Sequence, residues 1–243
     1  MLLQRSRRIK KLTRGAQNVT LALTLLAAFT VTAQDTESAL QRGEEFLRAG
    51  SYAAASEIFL QAQGVDREEG IVGASRAFAA MGNVAEAVRV CESALAGEAV
   101  ERYPLVTTQL AELLRERGES ARALALFEQL FAAEARPPAR ALVQYGDLLQ
   151  FVGRREDARA VLQRAVDRYT DGLVFSSEDT AMVARASWLL GEFHDANSLF
   201  TEATRLEPTN LEAQVLWGNL FLEKYDSADA QRSFEDALAV NSR

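Results

Sequence analysis

A recurring pattern of small and large apolar positions runs along the chain over residues 36–243. Each copy has an anchor residue, an alanine five residues later and a large apolar residue or cysteine nine residues later. The anchors are Gly50, Gly82, Gly118, Gly153, Gly191 and, in the sixth copy, Tyr225. Successive anchors are separated by 32, 36, 35, 38 and 34 residues. Six copies in nearly constant register predict six repeats of one supersecondary unit.

A second small residue lies seven positions before each anchor and predicts where two helices touch. These positions hold Gly43, Ser75, Ala111, Gly146, Ala184 and Gly218. Small residues on both helices let the backbones approach, and the large residue of the second helix fills the remaining space. A glycine between the helices ends the first one in a left-handed conformation. Each copy is therefore predicted to be a helical hairpin, and stacked hairpins would share one continuous core.

This pattern resembles the tetratricopeptide repeat over essentially all of residues 36–243. The resemblance implies an all-α fold, a right-handed superhelical solenoid of about six helical hairpins. We expect repeats 1–4 over 36–166, a longer connection over 167–176 and repeats 5–6 over 177–243. The connection, DRYTDGLVFS, is longer and more turn-like than the others, so we expect a hinge or side loop there.

Residues 1–33 have the order of a secretory signal. A basic stretch reaches Arg14, an apolar run extends from Val19 to Val31, and small residues lead to Ala33. The run is shorter than the roughly 20 residues that span a bilayer, which favours a cleaved signal and a mature chain that begins at Gln34. A retained N-terminal membrane anchor is the alternative. We therefore expect a periplasmic or secreted protein of the cell envelope.

Charge and composition exclude several classes of function. After residue 33 the chain carries 21 basic and 34 acidic residues, so its electrostatic field repels nucleic acid. A single cysteine, Cys91, allows neither a disulfide framework nor a multi-cysteine metal site. No phosphate-binding loop, zinc-binding helix or nucleophile elbow occurs in the sequence. We expect no enzyme activity, no cofactor, no metal and no small-molecule substrate, and a buried Cys91 where sister repeats have phenylalanine.

By the resemblance, the first helix of each hairpin lines a concave groove in which partners bind. Phe151 and Trp188 are large aromatic residues at groove positions of neighbouring repeats. Aromatic and arginine side chains contribute most to binding at protein interfaces. An aromatic residue near the 167–176 connection could instead be covered by that connection. The candidate partner-binding residues are Arg76, Arg115, Phe151, Arg185, Trp188 and Asn219.

The expected function is that of an exported, non-enzymatic scaffold or adaptor whose groove binds a protein or peptide partner. The alternative is the N-terminal repeat region of a longer envelope protein with a further catalytic or membrane-barrel domain. The sixth repeat keeps its interior pattern through Ala237, and no polar capping helix follows in the sequence. Solenoid ends normally need such a cap, so we expect either a homodimer through this repeat or further hairpins beyond residue 243.

Overall fold

The chain is described by a computed structural model over residues 39–62, 67–133, 136–173, 176–224 and 226–241. The predicted signal at 1–33 and the sixth anchor, Tyr225, lie outside these residues. The described ranges contain helices and turns but no strand, as the sequence predicts. The helices are α1 (39–48), α2 (Tyr52–Phe59), α3 (Arg67–Ala80), α4 (Val84–Leu95), α5 (Pro104–Glu116), α6 (Ser120–Ala133), α7 (Ala139–Phe151), α8 (Arg155–Thr170), α9 (Ser177–Leu190), α10 (Phe193–Leu206), α11 (Leu211–Glu223) and α12 (Ser227–Val240).

Glycine ends the first helix of five hairpins, and α7 shows the geometry clearly. Gly153 has φ of 84°, and the N–H of Arg154 donates to the carbonyl of Leu149 at 2.8 Å. This six-residue closure satisfies a carbonyl that would otherwise lack a partner at the helix end. A Cβ on Gly153 would meet no atom within 4 Å, so the backbone conformation, not lack of space, requires glycine.

The two helices of a hairpin approach closely at the predicted small residues. A Cβ on Gly146 would lie 2.6 Å from Cδ2 of Leu162, so the leucine fills the space that the glycine leaves open. The corresponding distance from Gly218 to Cε1 of Phe234 is 2.5 Å. Such contacts allow almost no added volume, because protein interiors are close-packed.

Neighbouring hairpins stack in two ways: the second helix of one packs against the first helix of the next, and successive first helices pack against each other. Helix α3 packs against α5, α5 against α7, α7 against α9, and α9 against α11. The second helices contribute Phe127, Leu162 and Phe200, all fully buried, to the core. Cys91 takes the equivalent buried position in the second hairpin, as predicted. Burial raises the pKa of its thiol to about 11, so the reactive thiolate is disfavoured at neutral pH.

The predicted connection at 167–176 begins too early. Helix α8 continues to Thr170 and ends at Gly172, which has φ of 68°. Ser176 then caps α9 by accepting a hydrogen bond from the N–H of Asp179 at 3.0 Å. Helices α8 and α9 pack against each other, so this connection joins two elements in direct contact.

Candidate partner-binding groove

The first helices of the hairpins line a continuous groove. Side chains of α5, α7, α9 and α11 enclose its central cleft, which has a volume of about 670 Å³. A second cleft of about 510 Å³, the end cleft, lies between the first two hairpins and the last two. Glu212 lines both clefts and joins them. At the end cleft, Nδ2 of Asn241 donates to the hydroxyl of Tyr52 at 3.4 Å, which brings the first and last hairpins together.

Two of the predicted arginines share one carboxylate in the central cleft. Arg115 Nη1 lies 2.8 Å from Oδ2 of Asp147, and Arg185 Nη2 lies 3.1 Å from the same oxygen. Arg115 lies on α5, Asp147 on α7 and Arg185 on α9, so this bridge joins three successive hairpins. Charge-assisted hydrogen bonds of this kind hold side chains in fixed positions. The arginines therefore stabilise the wall of the cleft, and each is already engaged within the chain.

A second network surrounds Arg140 in the first turn of α7. Its guanidinium makes a double hydrogen bond to Glu212 of α11, with one of the two distances 3.0 Å, and contacts Glu178 of α9 at 2.9 Å. Burial by itself raises the pKa of Glu212, but the charge and hydrogen bonds of Arg140 outweigh it and lower that pKa. Arg140 thus joins the fourth hairpin to the fifth and the sixth.

Glu112 of α5 is the poorly satisfied member of this network. The closest approach to Arg140 is 3.6 Å, from Nη1 to Oε1, and that buried oxygen has no hydrogen-bond partner among the described residues. Burial, opposed by Arg140 but reinforced by the charges of Glu212 and Glu116, raises the pKa of Glu112 to about 7. Binding of a proton or another cation would lower the free energy of a carboxylate in this position.

The remaining predicted residues lie in different surroundings. Phe151 lines the central cleft with 72% of its surface exposed, so the connection does not cover it. Trp188 is partly buried, stacks with Arg185 and donates its Nε1–H to Glu223 at 2.6 Å. Arg76 lines the end cleft and lies 3.6 Å from Glu44, and Asn219 is exposed on α11. The structure therefore brings Arg115, Phe151 and Arg185 together in the central cleft, with Trp188 against Arg185. Arg76 lies in the end cleft, and Asn219 lines neither cleft.

The candidate residues predicted from the sequence do not include the Arg140 network. The signal for it lies thirteen residues before each anchor, at the second position of the repeat, which the resemblance assigns to the groove. That position holds Arg140, Glu178 and Glu212 in three consecutive repeats, a basic residue followed by two acidic ones. Opposite charges at equivalent positions of stacked repeats predict ion pairs between hairpins.

The comparison with protein families identifies one of the repeats. A family model of the tetratricopeptide repeat matches residues 139–171, which contain α7 and α8. The fourth hairpin matches the tetratricopeptide repeat. The predicted family is thereby supported at the hairpin that carries Arg140, Asp147 and Phe151. No curated protein matches the chain.

Solved tetratricopeptide structures share the fold. A thermophilic tetratricopeptide protein from Thermus thermophilus has a TM-score of 0.53 at 22% identity, covering 77% of this chain and 99% of its own. The APC/C hetero-tetramer Cut9–Hcn1 gives a TM-score of 0.50 at 14% identity, covering 87% of this chain and 41% of the matched one. These similarities confirm the predicted all-α solenoid of tetratricopeptide type.

Two further properties concern the described part of the chain. None of its helices combines the length and the apolar composition needed to cross a bilayer. Its His, Cys, Asp and Glu side chains form no group of three that could hold a metal ion.

Proposed function

We propose that the chain is an exported, non-enzymatic scaffold that binds a segment of a protein or peptide partner in its groove. The exposed ring of Phe151 carries this proposal. An aromatic side chain with 72% of its surface exposed, at the edge of a cleft of about 670 Å³, offers apolar area that a partner can cover. Tetratricopeptide solenoids suit this role because stacked hairpins create extended concave binding surfaces.

The ion pairs of the groove support binding in a preformed site. Asp147 holds Arg115 and Arg185, and Arg140 holds acidic residues of two later hairpins. A fixed surface lowers the conformational entropy that binding costs. The proposal includes export to the periplasm or the medium, which rests on the signal-like order of residues 1–33. The longer envelope protein remains the second candidate.

Capture from a cell-envelope extract tests the groove. Phe151→Ala should weaken partner binding by about 1 kcal/mol or more, and adding Arg185→Ala and Trp188→Ala should weaken it further. Glu57→Gln, on the exposed surface of α2, is the control and should leave binding unchanged. Urea unfolding of each variant separates lost binding from lost stability, which matters because Trp188 also packs against the core. Full capture by the triple variant would contradict the groove as the binding site.

A further inference from the structure

The central cleft contains a carboxylate for which the chain supplies too little positive charge. Oε1 of Glu112 is buried and has no hydrogen-bond partner among the described residues. Arg140, its nearest cation at 3.6 Å, already donates to Glu178 and Glu212. Buried polar atoms are normally hydrogen-bonded, so this carboxylate at the wall of the cleft keeps unused capacity to accept a hydrogen bond.

A second carboxylate lies one helical turn further along α5. Glu116 is exposed and lines the same cleft as Glu112. Like charges at positions i and i+4 of a helix repel each other. A cation held between Glu112 and Glu116 would remove this repulsion. The two carboxylates therefore offer a cationic group two negative partners on one face.

The charge of the whole groove has the same sign. Seven carboxylates and five arginines line the central and end clefts. The described ion pairs engage all the arginines of the central cleft, Arg115, Arg140 and Arg185, with acidic side chains of the chain itself. The surplus charge that a ligand meets is therefore negative. Complementary charge at such a surface favours a basic partner and discourages an acidic one.

Phe151 supplies the apolar contact that a long basic side chain needs. Its exposed ring lines the cleft that Glu112 and Glu116 also line. Lysine and arginine bury their methylene stems along apolar surface while the charged end stays with polar partners. Aromatic faces also attract cations directly.

Building on the proposed function, we infer that the partner segment inserts a lysine or arginine side chain into the central cleft. The charged end lies between Glu112 and Glu116, and the methylene stem crosses the ring of Phe151. Ion pairing satisfies the carboxylates, and contact with the ring removes apolar surface from water. This site selects a basic segment of a protein or peptide over an acidic one.

Three fluorescein-labelled peptides test the inference by fluorescence anisotropy at pH 8 and low salt. The first is fluorescein-Gly-Leu-Lys-Gly-Lys-Leu-Gly-amide, labelled at its N-terminal amine; the others replace both lysines by glutamine or by glutamate. The protein should bind the lysine peptide at least about tenfold more tightly than the glutamine peptide and should not bind the glutamate peptide measurably. The double variant Glu112→Gln/Glu116→Gln should lose about tenfold in affinity for the lysine peptide only.

Matched controls keep the result specific to the cleft. Glu57→Gln removes one negative charge from the surface of α2 and should leave the affinities for the lysine and glutamine peptides unchanged. Phe151→Ala should weaken the lysine peptide without changing the order of preference. Far-ultraviolet circular dichroism verifies that each variant is folded.

Each contrary result has a distinct meaning. Equal affinity for the lysine and glutamate peptides, no binding of any peptide, or an unchanged lysine affinity in the double variant would overturn the basic-side-chain site. None of these results bears on capture from the envelope extract. The proposed function is tested separately. It is contradicted if the triple variant Phe151→Ala/Arg185→Ala/Trp188→Ala captures the same partner as fully as the unchanged protein.

Discussion

Single residues in the groove have opposite electrostatic environments, although they belong to one network. Glu212 forms a double hydrogen bond with Arg140, and its pKa is lowered. Glu112 lies 3.6 Å from the same guanidinium, and its pKa is raised to about 7. The difference in partner geometry decides the sign, because burial by itself raises the pKa of both carboxylates. Replacing each carboxylate by a neutral side chain should therefore change the free energy of unfolding in opposite directions.

Glu112→Gln should stabilise the protein at pH 8. The folded state holds a proton on Glu112 up to about pH 7, whereas the unfolded chain releases it near pH 4.5. Stability contributed by this group is therefore present below about pH 4.5 and is lost as the pH rises towards 7. The variant should gain about 1 to 3 kcal/mol in free energy of unfolding at pH 8 and little at pH 4.5. Urea unfolding at several pH values measures the difference.

The matched variant Glu212→Gln should respond in the opposite direction. Its lowered pKa means that the charged form stabilises the fold above the pKa of the unfolded chain. Neutralising it at pH 8 removes a partner of Arg140 and should destabilise the protein. If both variants lost stability at pH 8, the ion pair between Glu112 and Arg140 would be stabilising, which contradicts the prediction for Glu112→Gln.

The sequence predicts only some of the groove residues, because several contacts join residues that are far apart in the chain. Phe151 is identifiable because its residue type and repeat position are both local properties. The partners of Arg140 are 38 and 72 residues away in the sequence. Their pairing depends on how closely the hairpins stack, which the periodicity does not give. The charges at the second position of the repeat carry the signal for this network.

At the scale of the helix, local rules account for the ends of several helices. Glycine with positive φ ends α7 at Gly153, and the same signal ends α8 at Gly172. The predicted connection begins too early because Asp167–Thr170 contain turn-forming residues, yet they complete a helix whose Tyr169 hydroxyl bonds Glu202 of α10 at 2.5 Å. Tertiary contact thus extends the helix beyond its local preference. Gly172 is the local signal that marks the true end.

The helix contacts predict unequal responses to added volume in α8. Ala158 is fully buried, whereas Ala160 on the same helix is exposed. Ala158→Leu should overpack the contact between helices and cost about 1 to 3 kcal/mol in free energy of unfolding. Ala160→Leu should change stability little, since its side chain points to solvent. Small, equal effects in urea unfolding would contradict the assigned register of the hairpin.

For the whole molecule, export is a prediction about residues 1–33. Their basic, apolar and small-residue order predicts cleavage after Ala33. N-terminal sequencing of protein recovered from the periplasm or the medium should therefore begin at Gln34. Full-length chain in the cytosol, or membrane-bound chain that retains Met1, would contradict cleavage, and the membrane-bound form would support the anchor.

Self-association is the second prediction for the whole molecule, and the last hairpin carries it. Leu222 of α11 and Leu238 of α12 are 50% and 59% exposed. Neighbouring hairpins of a solenoid bury such residues against each other, so either a further hairpin or a second copy can cover them, and the prediction tests the second copy. Light scattering should detect a dimer whose fraction rises with concentration, and Leu222→Glu/Leu238→Glu should shift it towards monomer. Leu206→Glu, at an exposed leucine of α10, is the control. A monomer at high concentration would exclude self-association. A dimer that only the control variant disrupts would place the interface away from Leu222 and Leu238.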